Sequence, residues 1–559
     1  MLLAVAVAGG VSALTARPVP APAISSAAAA ATPVPPQLRH NGRWLVDPEG
    51  RIVLLHGVNA VWKRPPYVAP DEPGGFTAAD ADVLASNGFN AVRLGVLFAG
   101  VMPRPGIVDQ TYLEQVNRVV QLLASRHIWV LLDFHQDQYN EKFQGEGFPA
   151  WAVFDDGLPD DARYGFPGDY FGSAALDAAY DNLWADHAGL WDRYRDAWRA
   201  VAAKWANQPY LMGYELINEP WPGTAWPTCV DPIEGCPVFD STLQRFQDEA
   251  RAGIRQIDPS NLVWFEGSSI SNYGVPNHLG DTPIPDAELG YSWHAYCVSS
   301  AGFSAAGVHN DQGCAQEEQY ALAGAEHTDA RLGAGFLITE FGGGDDLTDS
   351  ARVVASADQH LVGWMYWSYK TWADPTGGGA AQSMFQNDAD LSTLKQGKAD
   401  VLVRPYARAV AGTPLSMGFD PSTKIFSLSY TPRAANGPTE VFVPARHYPH
   451  GYTVSVDGGH TTSPPNASNL AIVADPGATQ VGVEVRPDNA TVRAASVASG
   501  TKAGSASATE AAARTPGGLA ATGRSALWFL LGTASLGAAL GSRRVTASRT
   551  SRACQKASA

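Results

Sequence analysis

The sequence is short of basic residues. Lysine and arginine number 39 against 55 aspartates and glutamates, which gives a formal net charge of −16. A chain this acidic is poorly suited to nucleic acid or to an anionic membrane surface, because both carry charge of the same sign. We therefore expect no nucleic-acid partner.

Cysteine is scarce too, with five in 559 residues, and the spacing fits no metal-binding motif. Cys229 and Cys236 lie close together in one loop, and Cys297 and Cys314 bracket another. Local pairs of this kind indicate two disulfides formed in an oxidising compartment. The fifth cysteine, Cys554, lies near the C-terminus, beyond the last apolar span.

The N-terminal segment 1–31 is predicted to be a signal peptide with an alanine-rich leader. It is apolar over Met1 to Ala16 and runs into small residues that offer several cleavage sites, as in a secretory signal. The usual basic residues before the apolar region are lacking, which a wrongly assigned start codon would explain. The alternative is a disordered Ala/Pro leader.

The C-terminal segment 519–559 is similar to a cell-wall sorting signal. Leu519, Thr522 and Gly523 match the LAxTG form of the LPxTG motif of actinobacteria, and an apolar span at 525–540 and two arginines follow. The similarity implies that a sortase cuts between Thr522 and Gly523 and joins the threonine to the wall. A plain membrane anchor is the alternative, although the span is short for a bilayer. Both predict an exported protein held at the cell surface of a Gram-positive organism.

Eight apolar, strand-like runs alternate with helical patterns between about Asn41 and Gly412. They lie near residues 51–59, 89–96, 128–135, 211–222, 261–267, 288–296, 335–342 and 363–369. This alternation predicts a (β/α)8 TIM barrel of the α/β class over 32–412. A doubly wound sheet would need a glycine-rich phosphate turn after the first strand, and none follows it.

The pattern changes after Arg404. Short strands separated by turn signals predict a small antiparallel β-sandwich domain over 413–487. Residues 488–518 are rich in alanine, serine, glycine and threonine, and they are predicted to form a disordered linker that spans the wall.

Two predicted strands deliver a glutamate at their ends, Glu219 in Asn-Glu-Pro and Glu340 in Ile-Thr-Glu-Phe. The carboxyl ends of barrel strands meet on one face, so these side chains should lie close together. Retaining glycoside hydrolysis requires two carboxyls about 5 Å apart, one protonated and one ionised. Six further polar or aromatic residues fall at strand ends: Arg93, His135, Asn218, His294, Tyr296 and Trp367.

This set, in this order, resembles glycoside hydrolase family 5 over the whole barrel. The resemblance implies that Glu219 is the acid/base, that Glu340 is the nucleophile and that Asn218 binds the sugar 2-hydroxyl. Arg93 and Tyr296 are suited to keep Glu340 ionised through charge-assisted hydrogen bonds. The remaining three have lesser roles: His294 can tune the pKa of the acid, His135 can hold a sugar hydroxyl and Trp367 offers a surface for stacking.

A narrower resemblance is to the endoglycoceramidase branch of that family, which cuts the bond between the oligosaccharide and the ceramide of glycosphingolipids. It is carried by Lys63, by 132–137 (LDFHQD), by 149–151 (PAW) and by 156–159 (DGLP). The resemblance implies that Lys63 and Asp137 grip the hydroxyls of the first sugar. The branch has a tryptophan shortly after DGLP, and this sequence does not; Tyr164 and Tyr170 are the candidates to replace it. Whether glucose or galactose is accepted next to ceramide stays open.

Three hypotheses follow. The favoured one is a secreted, monomeric, retaining endo-β-glycosidase that acts on glycosphingolipids without a metal or an organic cofactor. Under this hypothesis, the aromatic loops at 143–154 and 221–226 either contact the ceramide or only pack onto the barrel. The second is an endo-β-glucanase or mannanase, which would need an open cleft with sugar subsites on both sides of Glu219. The third is an adhesin on an inactive barrel, which the intact pair of glutamates disfavours. The β-domain is expected to brace the barrel, and the alternatives are that it extends the lipid-facing surface or binds sugar.

Overall fold

The computed structural model describes residues 36–160, 164–297 and 311–488, and every structural statement below concerns these residues. The predicted signal peptide, linker and sorting signal lie outside them. Within the described part of the chain, no helix combines the length and the apolar character needed to cross a membrane.

The strands of the N-terminal half begin with three short ones, β1 (Arg39–Asn41), β2 (Trp44–Val46) and β3 (Ile52–Val53). Eight parallel strands follow and close into a barrel: β4 (His56–Ala60), β5 (Ala91–Val96), β6 (Trp129–Phe134), β7 (Leu211–Glu215), β8 (Leu262–Glu266), β9 (Leu289–Ala295), β10 (Gly335–Phe341) and β11 (Gly363–Tyr366). Every residue of these eight strands is buried, as expected of strands covered on both faces. The predicted barrel is confirmed.

Helices connect the barrel strands and surround them. They are α1 (Ala78–Ser86), α2 (Phe98–Val101), α3 (Gln110–Ala124), α4 (Asp169–Gly172), α5 (Ala174–Trp184), α6 (Leu190–Trp205), α7 (Pro237–Arg255), α8 (Asp311–Leu332), α9 (Leu347–His360) and α10 (Gln396–Leu402). Their starts follow local chemistry. The Asp80 carboxylate, in the first turn of α1, accepts the backbone N–H of the N-cap residue Thr77 at 2.7 Å, as in a capping box. Asp109 is itself the N-cap of α3, and its carboxylate accepts the N–H of Thr111 at 2.9 Å.

Short 3-10 helices, three to six residues long, occupy the long loops. They lie at Glu141–Phe143, Ala150–Ala152, His187–Gly189, Gly223–Thr228, Ser269–Tyr273, Gly379–Ala381 and Leu391–Thr393. Several of them are in loops that follow the carboxyl ends of barrel strands, where binding residues are expected.

The C-terminal part is antiparallel. It contains β12 (Tyr406–Val410), β13 (Gly412–Asp420), β14 (Ile425–Pro432), β15 (Thr439–Phe442), β16 (Tyr452–Asp457), β17 (Gly459–Thr461), β18 (Asn469–Ala474) and β19 (Val481–Pro487). One sheet has the order β13-β14-β19-β16, and the other has the order β1-β2-β3-β12-β15-β18-β17. The second sheet thus joins strands from both ends of the described chain, a pairing that the sequence did not indicate.

Aromatic rings form the joint between the barrel and the β-sheets. His56, at the start of β4, stacks between Trp364 and Tyr406, with ring centroids 4.3 and 3.6 Å away. The Tyr406 hydroxyl donates to the Gly88 carbonyl at 2.7 Å. Gly88 has a φ of +79°, and a Cβ there would lie 2.2 Å from the Phe442 ring. Only glycine fits this close approach of the barrel to the sheet.

Candidate active site

The carboxyl ends of the barrel strands hold the predicted glutamates. Glu340 lies within β10, and Glu219 lies four residues beyond the end of β7. One carboxylate oxygen of each and a ring nitrogen of His294 all lie within 4.8 Å of one another. The two carboxyls are therefore close enough to act on the two sides of one bond.

Glu340 is held by several donors. Arg93 donates to one of its oxygens, and the Tyr296 hydroxyl donates to the other at 2.9 Å. Burial raises the pKa of Glu340, and the nearby His294 and Arg93 oppose that rise. Hydrogen bonds donated to a carboxylate favour its ionised form. The predicted partners of Glu340 are thus where the sequence placed them.

Glu219 has a different environment. Its Oε1 shares a hydrogen bond of 2.7 Å with Nδ1 of His294. Burial raises the pKa of Glu219 to about 7 and exceeds the lowering effect of the more distant cations. This carboxyl is thus suited to hold a proton near neutral pH and to give it up during a reaction.

Arg93 organises the floor of the site and is fully buried. Besides Glu340, its guanidinium contacts Glu215, Asp133 at 3.1 Å and the Asn218 side-chain oxygen at 2.8 Å. Three carboxylates surround this one guanidinium, so a single positive charge is shared among them in a region from which water is excluded. Asn218 is fixed from the other side as well, since its amide donates to the Gln136 carbonyl at 2.9 Å.

The profile described as "Cellulase (glycosyl hydrolase family 5)" matches residues 46–372. The chain belongs to glycoside hydrolase family 5. The profile "Glycoside hydrolase family 5 C-terminal domain" matches residues 404–485, which cover the antiparallel sheets. The chain is therefore a glycosidase, as the sequence predicts.

Within family 5, the chain is similar to endoglycoceramidases in both sequence and structure. The chain is 36% identical over 467 residues to endoglycoceramidase I of Rhodococcus hoagii (strain 103S), which covers 82% of this chain and 90% of the relative. The structure of endo-glycoceramidase II from Rhodococcus sp. matches with a TM-score of 0.66 and 28% identity, over 79% of this chain and 99% of that one. Its complex with ganglioside GM3 matches with a TM-score of 0.65, 27% identity and the same coverage. The resemblance to the endoglycoceramidase branch is confirmed.

Lys63 and Asp137, predicted together as sugar contacts, form an ion pair of 2.5 Å. The Lys63 ammonium also donates to Thr376 at 2.7 Å and lies 3.2 Å from Asp374. Burial opposes the charge on Lys63, but the surrounding carboxylates outweigh it and raise its pKa well above the usual value. Thr376 in turn donates to Asp137 at 2.8 Å. Thr376 and Asp374 were not predicted, because the loop after β11 carries no recognisable motif.

His135 lies between this cluster and the floor. Its Nδ1 is 2.7 Å from Asp133, and its Nε2 is 3.5 Å from Asp137. Burial disfavours the charged ring, yet Asp133 outweighs burial and raises the pKa of His135 to about 10. We therefore expect a charged imidazole, which links the cluster around Lys63 to the carboxylates around Arg93.

Trp367 lies beside this cluster, as predicted. Its ring stacks on His135 with centroids 5.2 Å apart, and the Lys63 ammonium lies 4.5 Å from its centroid. Its indole N–H donates to Gln382 at 3.3 Å, and the Gln382 amide donates to Asp374 at 2.9 Å. Gln382 therefore couples the stacking ring to the ion-pair cluster.

The candidates for the tryptophan that follows DGLP differ in exposure. Tyr170 is buried, accepts the Gln138 N–H at 2.8 Å and packs against Trp221 at 4.9 Å. Tyr164 is 71% exposed. The rings of Phe171 and Trp226 lie 5.2 Å apart, and Phe171 is 37% exposed. Tyr170 is thus a packing residue, whereas the outer rings are available to a ligand.

The aromatic residues of the loop at 143–154 are mostly packed. Phe143 and Phe148 are buried, and Phe148 stacks on Tyr139 at 4.2 Å. The Trp151 indole N–H donates to the Met102 carbonyl at 3.0 Å. These contacts favour the alternative in which the loop at 143–154 packs onto the barrel over the one in which it contacts the lipid.

Three clusters have the spacing of a metal site: His135 with Asp137 and Glu146, Glu215 with Glu266 and His294, and Glu219 with His294 and Glu340. The first contains the Lys63 ammonium, 3.5 Å from Glu146. The other two adjoin the Arg93 guanidinium, which contacts Glu215 and Glu340. The chain thus supplies cations of its own to these carboxylates, and the expectation of catalysis without a metal stays a prediction.

Both predicted disulfides are present, Cys229 with Cys236 and Cys297 with Cys314. The first closes the loop between β7 and α7. The second links the residue shortly after β9 to α8. Cys297 directly follows Tyr296, and the loop closed by the first disulfide lies downstream of Glu219.

Proposed function

We propose that the protein is a secreted endo-β-glycosidase that hydrolyses the bond between the glycan and the ceramide of glycosphingolipids. The similarity to endoglycoceramidases over 82% of the chain supports this substrate class. The observation that carries the reaction type is the placement of Glu219 and Glu340, whose carboxylate oxygens lie within 4.8 Å. Carboxyls about 5 Å apart are typical of retaining enzymes, whereas inverting enzymes keep them further apart to admit a water molecule.

The proposed reaction has two displacements. The Glu340 carboxylate attacks the anomeric carbon, the bond to the ceramide oxygen breaks, and Glu219 gives its proton to that oxygen. Glu219 then takes a proton from water, whose oxygen attacks the same carbon and releases Glu340. The donors on each carboxyl support these roles, since Arg93 and Tyr296 favour ionised Glu340 while burial keeps Glu219 protonated.

The sugar next to the cleaved bond would lie over the cluster formed by Lys63, Asp137, His135 and Trp367. Asn218, held by Arg93 and Gln136, would present its amide to the 2-hydroxyl, an interaction that strengthens in the transition state. An ammonium and a carboxylate paired at 2.5 Å offer both a donor and an acceptor to adjacent hydroxyls.

The lipid would lie on the opposite side of Glu219. The loop after Glu219 brings Trp221 and Trp226 against Phe171, which is itself partly exposed. Apolar surface of this kind, beside the group that protonates the leaving oxygen, matches a leaving group with long hydrocarbon chains. We infer that Phe171 and Trp226 contact the ceramide.

We further propose that the protein is exported and held at the cell surface through the LAxTG motif, with a sortase as partner. The two disulfides support an oxidising location. Mass spectrometry of protein released from the wall by muramidase would identify its last residue. A C-terminus at Thr522 bound to peptidoglycan supports sortase attachment, and a chain that retains residues 523–559 contradicts it.

The substrate is tested by incubating the protein with a ganglioside, lactosylceramide, a 6-linked galactosyl glycolipid, carboxymethyl cellulose and mannan. Mass spectrometry would detect free ceramide and intact oligosaccharide, with Glu340→Gln as the control variant. We expect ceramide release that Glu340→Gln lowers by about 10⁴-fold or more. Activity on the polysaccharides alone would refute the glycolipid proposal and leave the family membership unchanged.

A further inference from the structure

Glu266 ends β8 and is fully buried beside the catalytic pair. Its Oε2 accepts the backbone N–H of Glu219 at 3.0 Å. Its Oε1 lies 3.7 Å from Nε2 of His294, the ring whose Nδ1 contacts the Glu219 carboxyl at 2.7 Å. One side chain thus faces both the main chain of Glu219 and the histidine that contacts its side chain.

The main chain of Glu219 needs such a contact. Its φ is +40°, in the left-handed region that residues other than glycine rarely adopt. A residue held there costs free energy, about 1–3 kcal/mol, so the surrounding structure must fix it. Proline follows at 220 and has no N–H with which to support the turn. On the other side, the Gln136 amide donates to the carbonyls of Asn218 and Glu219 at 2.7 and 3.1 Å.

Glu266 is itself held firmly. Its N–H donates to the Gln247 side-chain oxygen at 3.1 Å, and the Gln247 amide donates back to its carbonyl at 2.9 Å. Gln247 is fully buried on α7. This reciprocal pair fixes the end of β8, so the position of the Glu266 carboxyl is set by the barrel rather than by a flexible loop.

We propose that Glu266 is a positioning residue for the acid/base Glu219. It fixes the left-handed main chain of Glu219 and orients His294, so that the Glu219 carboxyl is aimed at the leaving oxygen. Glu266 touches neither the sugar nor the reacting atoms. The inference rests on the proposed function of Glu219.

Misplacing an acid catalyst affects substrates unequally, because a good leaving group departs without a proton. The test therefore compares the glycolipid that the protein cleaves with the 2,4-dinitrophenyl β-glycoside of the same glycan. The variants are Glu266→Leu, which removes the acceptor, Glu266→Asp, which withdraws it by one methylene, and Glu266→Gln, which keeps an acceptor at the same distance. Glu219→Ala shows the pattern expected of a lost acid.

Asp240→Asn is the matched control. Asp240 is likewise a buried carboxyl that accepts a backbone N–H, from His278 at 2.9 Å, and burial raises its pKa to about 7. It lies at the start of α7 and contacts none of the site residues described above. Its replacement should leave the ratio of the two activities as in the unaltered protein.

We expect Glu266→Leu and Glu266→Asp to lower kcat/KM for the glycolipid by about 10²-fold and for the dinitrophenyl glycoside by less than about 5-fold. For Glu266→Gln, kcat/KM should stay within about 3-fold of the value for the unaltered protein on both substrates. Equal losses on the two substrates, or no loss in Glu266→Asp, would overturn the proposal. If Glu266→Leu does not fold, Glu266→Asp decides.

The two proposals can fail separately. If the unaltered protein releases no ceramide but cleaves another β-glycoside, the glycolipid proposal fails. The leaving-group comparison then uses that glycan, and the same ratio tests Glu266. If the protein releases ceramide, and Glu266→Leu and Glu266→Asp leave the ratio of the two activities unchanged, the positioning role fails. The glycolipid function then stands.

Discussion

At the scale of single residues, Glu219 and Glu340 differ in the hydrogen-bond partners of their carboxyl groups. A guanidinium and a phenol donate to Glu340, while Glu219 shares one hydrogen bond with a histidine whose pKa is lowered by burial. Burial raises the pKa of both carboxyls, but the cations and donors beside Glu340 oppose that rise, whereas the pKa of Glu219 reaches about 7. These environments support the proposed roles of Glu219 as acid and Glu340 as nucleophile.

The pH dependence of activity should reflect Glu219. Because its pKa is raised to about 7, the protonated form that an acid catalyst needs is present below that pH and is lost above it. We expect kcat/KM for the glycolipid to fall as the pH rises through about 7. The same profile for a dinitrophenyl glycoside should lack this fall in the first step, since its leaving group needs no proton. A glycolipid profile that stays flat to about pH 9 would contradict the role of Glu219.

Tyr296→Phe should lower activity without unfolding the protein. The lost hydroxyl donates to the Glu340 carboxylate at 2.9 Å, a hydrogen bond to a charged group worth about 1.5–3 kcal/mol. We expect kcat to fall by about 10- to 100-fold, with the thermal midpoint nearly unchanged. Steady-state kinetics and calorimetry on the same preparation would check both. Full activity in Tyr296→Phe would show that Arg93 alone orients the nucleophile.

The sequence predicted the polar residues at the strand ends of the proposed site, because they stand out against apolar runs, but it did not predict Phe171 as a ceramide contact. It missed the residues behind them. Asp133, Glu215 and Glu266 also interrupt apolar strands, and a charge in a buried strand is a signal in itself. Their partner, however, is Arg93 on β5 or the main chain of Glu219, and no spacing along one strand reveals a contact between strands.

At the scale of elements, the loops at the carboxyl ends of the strands carry the specificity. The loop after β11 brings Thr376 and Asp374 to Lys63, and the loop after β7 packs Trp226 against Phe171 of α4. Six of the barrel strands were predicted to within three residues at each end, since a buried strand is a continuous apolar run. The predictions at 51–59 and 211–222 were too long, because β4 begins at His56 and β7 ends at Glu215. β1, β2 and β3 were not predicted as separate strands, because two or three residues are too few to show a period.

The two disulfides should contribute unequally to stability. In the chain-entropy model the contribution grows with the closed loop, and the sequence separations are 17 for Cys297–Cys314 and 7 for Cys229–Cys236. This model gives about 3 and about 2.4 kcal/mol. Replacing both cysteines of a pair by serine should therefore lower the thermal midpoint more for Cys297 and Cys314. Calorimetry of the two double variants would check the order, and the reverse order would show that native contacts of the loops dominate.

At the scale of the whole molecule, the barrel and the antiparallel sheets share a joint. Arg404 contacts Asp358 of α9 in a buried ion pair, and Tyr406 and Phe442 pack on the start of the barrel. The joint lies at the end of the barrel where the strands begin, opposite the site. The geometry agrees with the expectation that the β-domain braces the barrel.

Phe442→Ala should weaken this joint and leave the chemistry intact. The ring is buried against Gly88, and truncating a buried phenylalanine costs about 3–5 kcal/mol. We expect a lower thermal midpoint with kcat and KM unchanged below the transition. Leu415→Ala, at a residue of β13 that is 52% exposed, is the control and should change neither. A loss of activity in folded Phe442→Ala would mean that the sheets act on the site rather than only bracing the barrel.

The sheet that joins β3 to β12 sets an order of events during synthesis. Arg51, just before β3, donates to Glu440 at 2.6 Å, and the two residues are separated by 389 positions in the chain. β3 is therefore made early in synthesis, but its edge cannot be paired until β12 has been made. Truncation before β12 would therefore expose one edge of β3 while leaving all eight barrel strands in the chain.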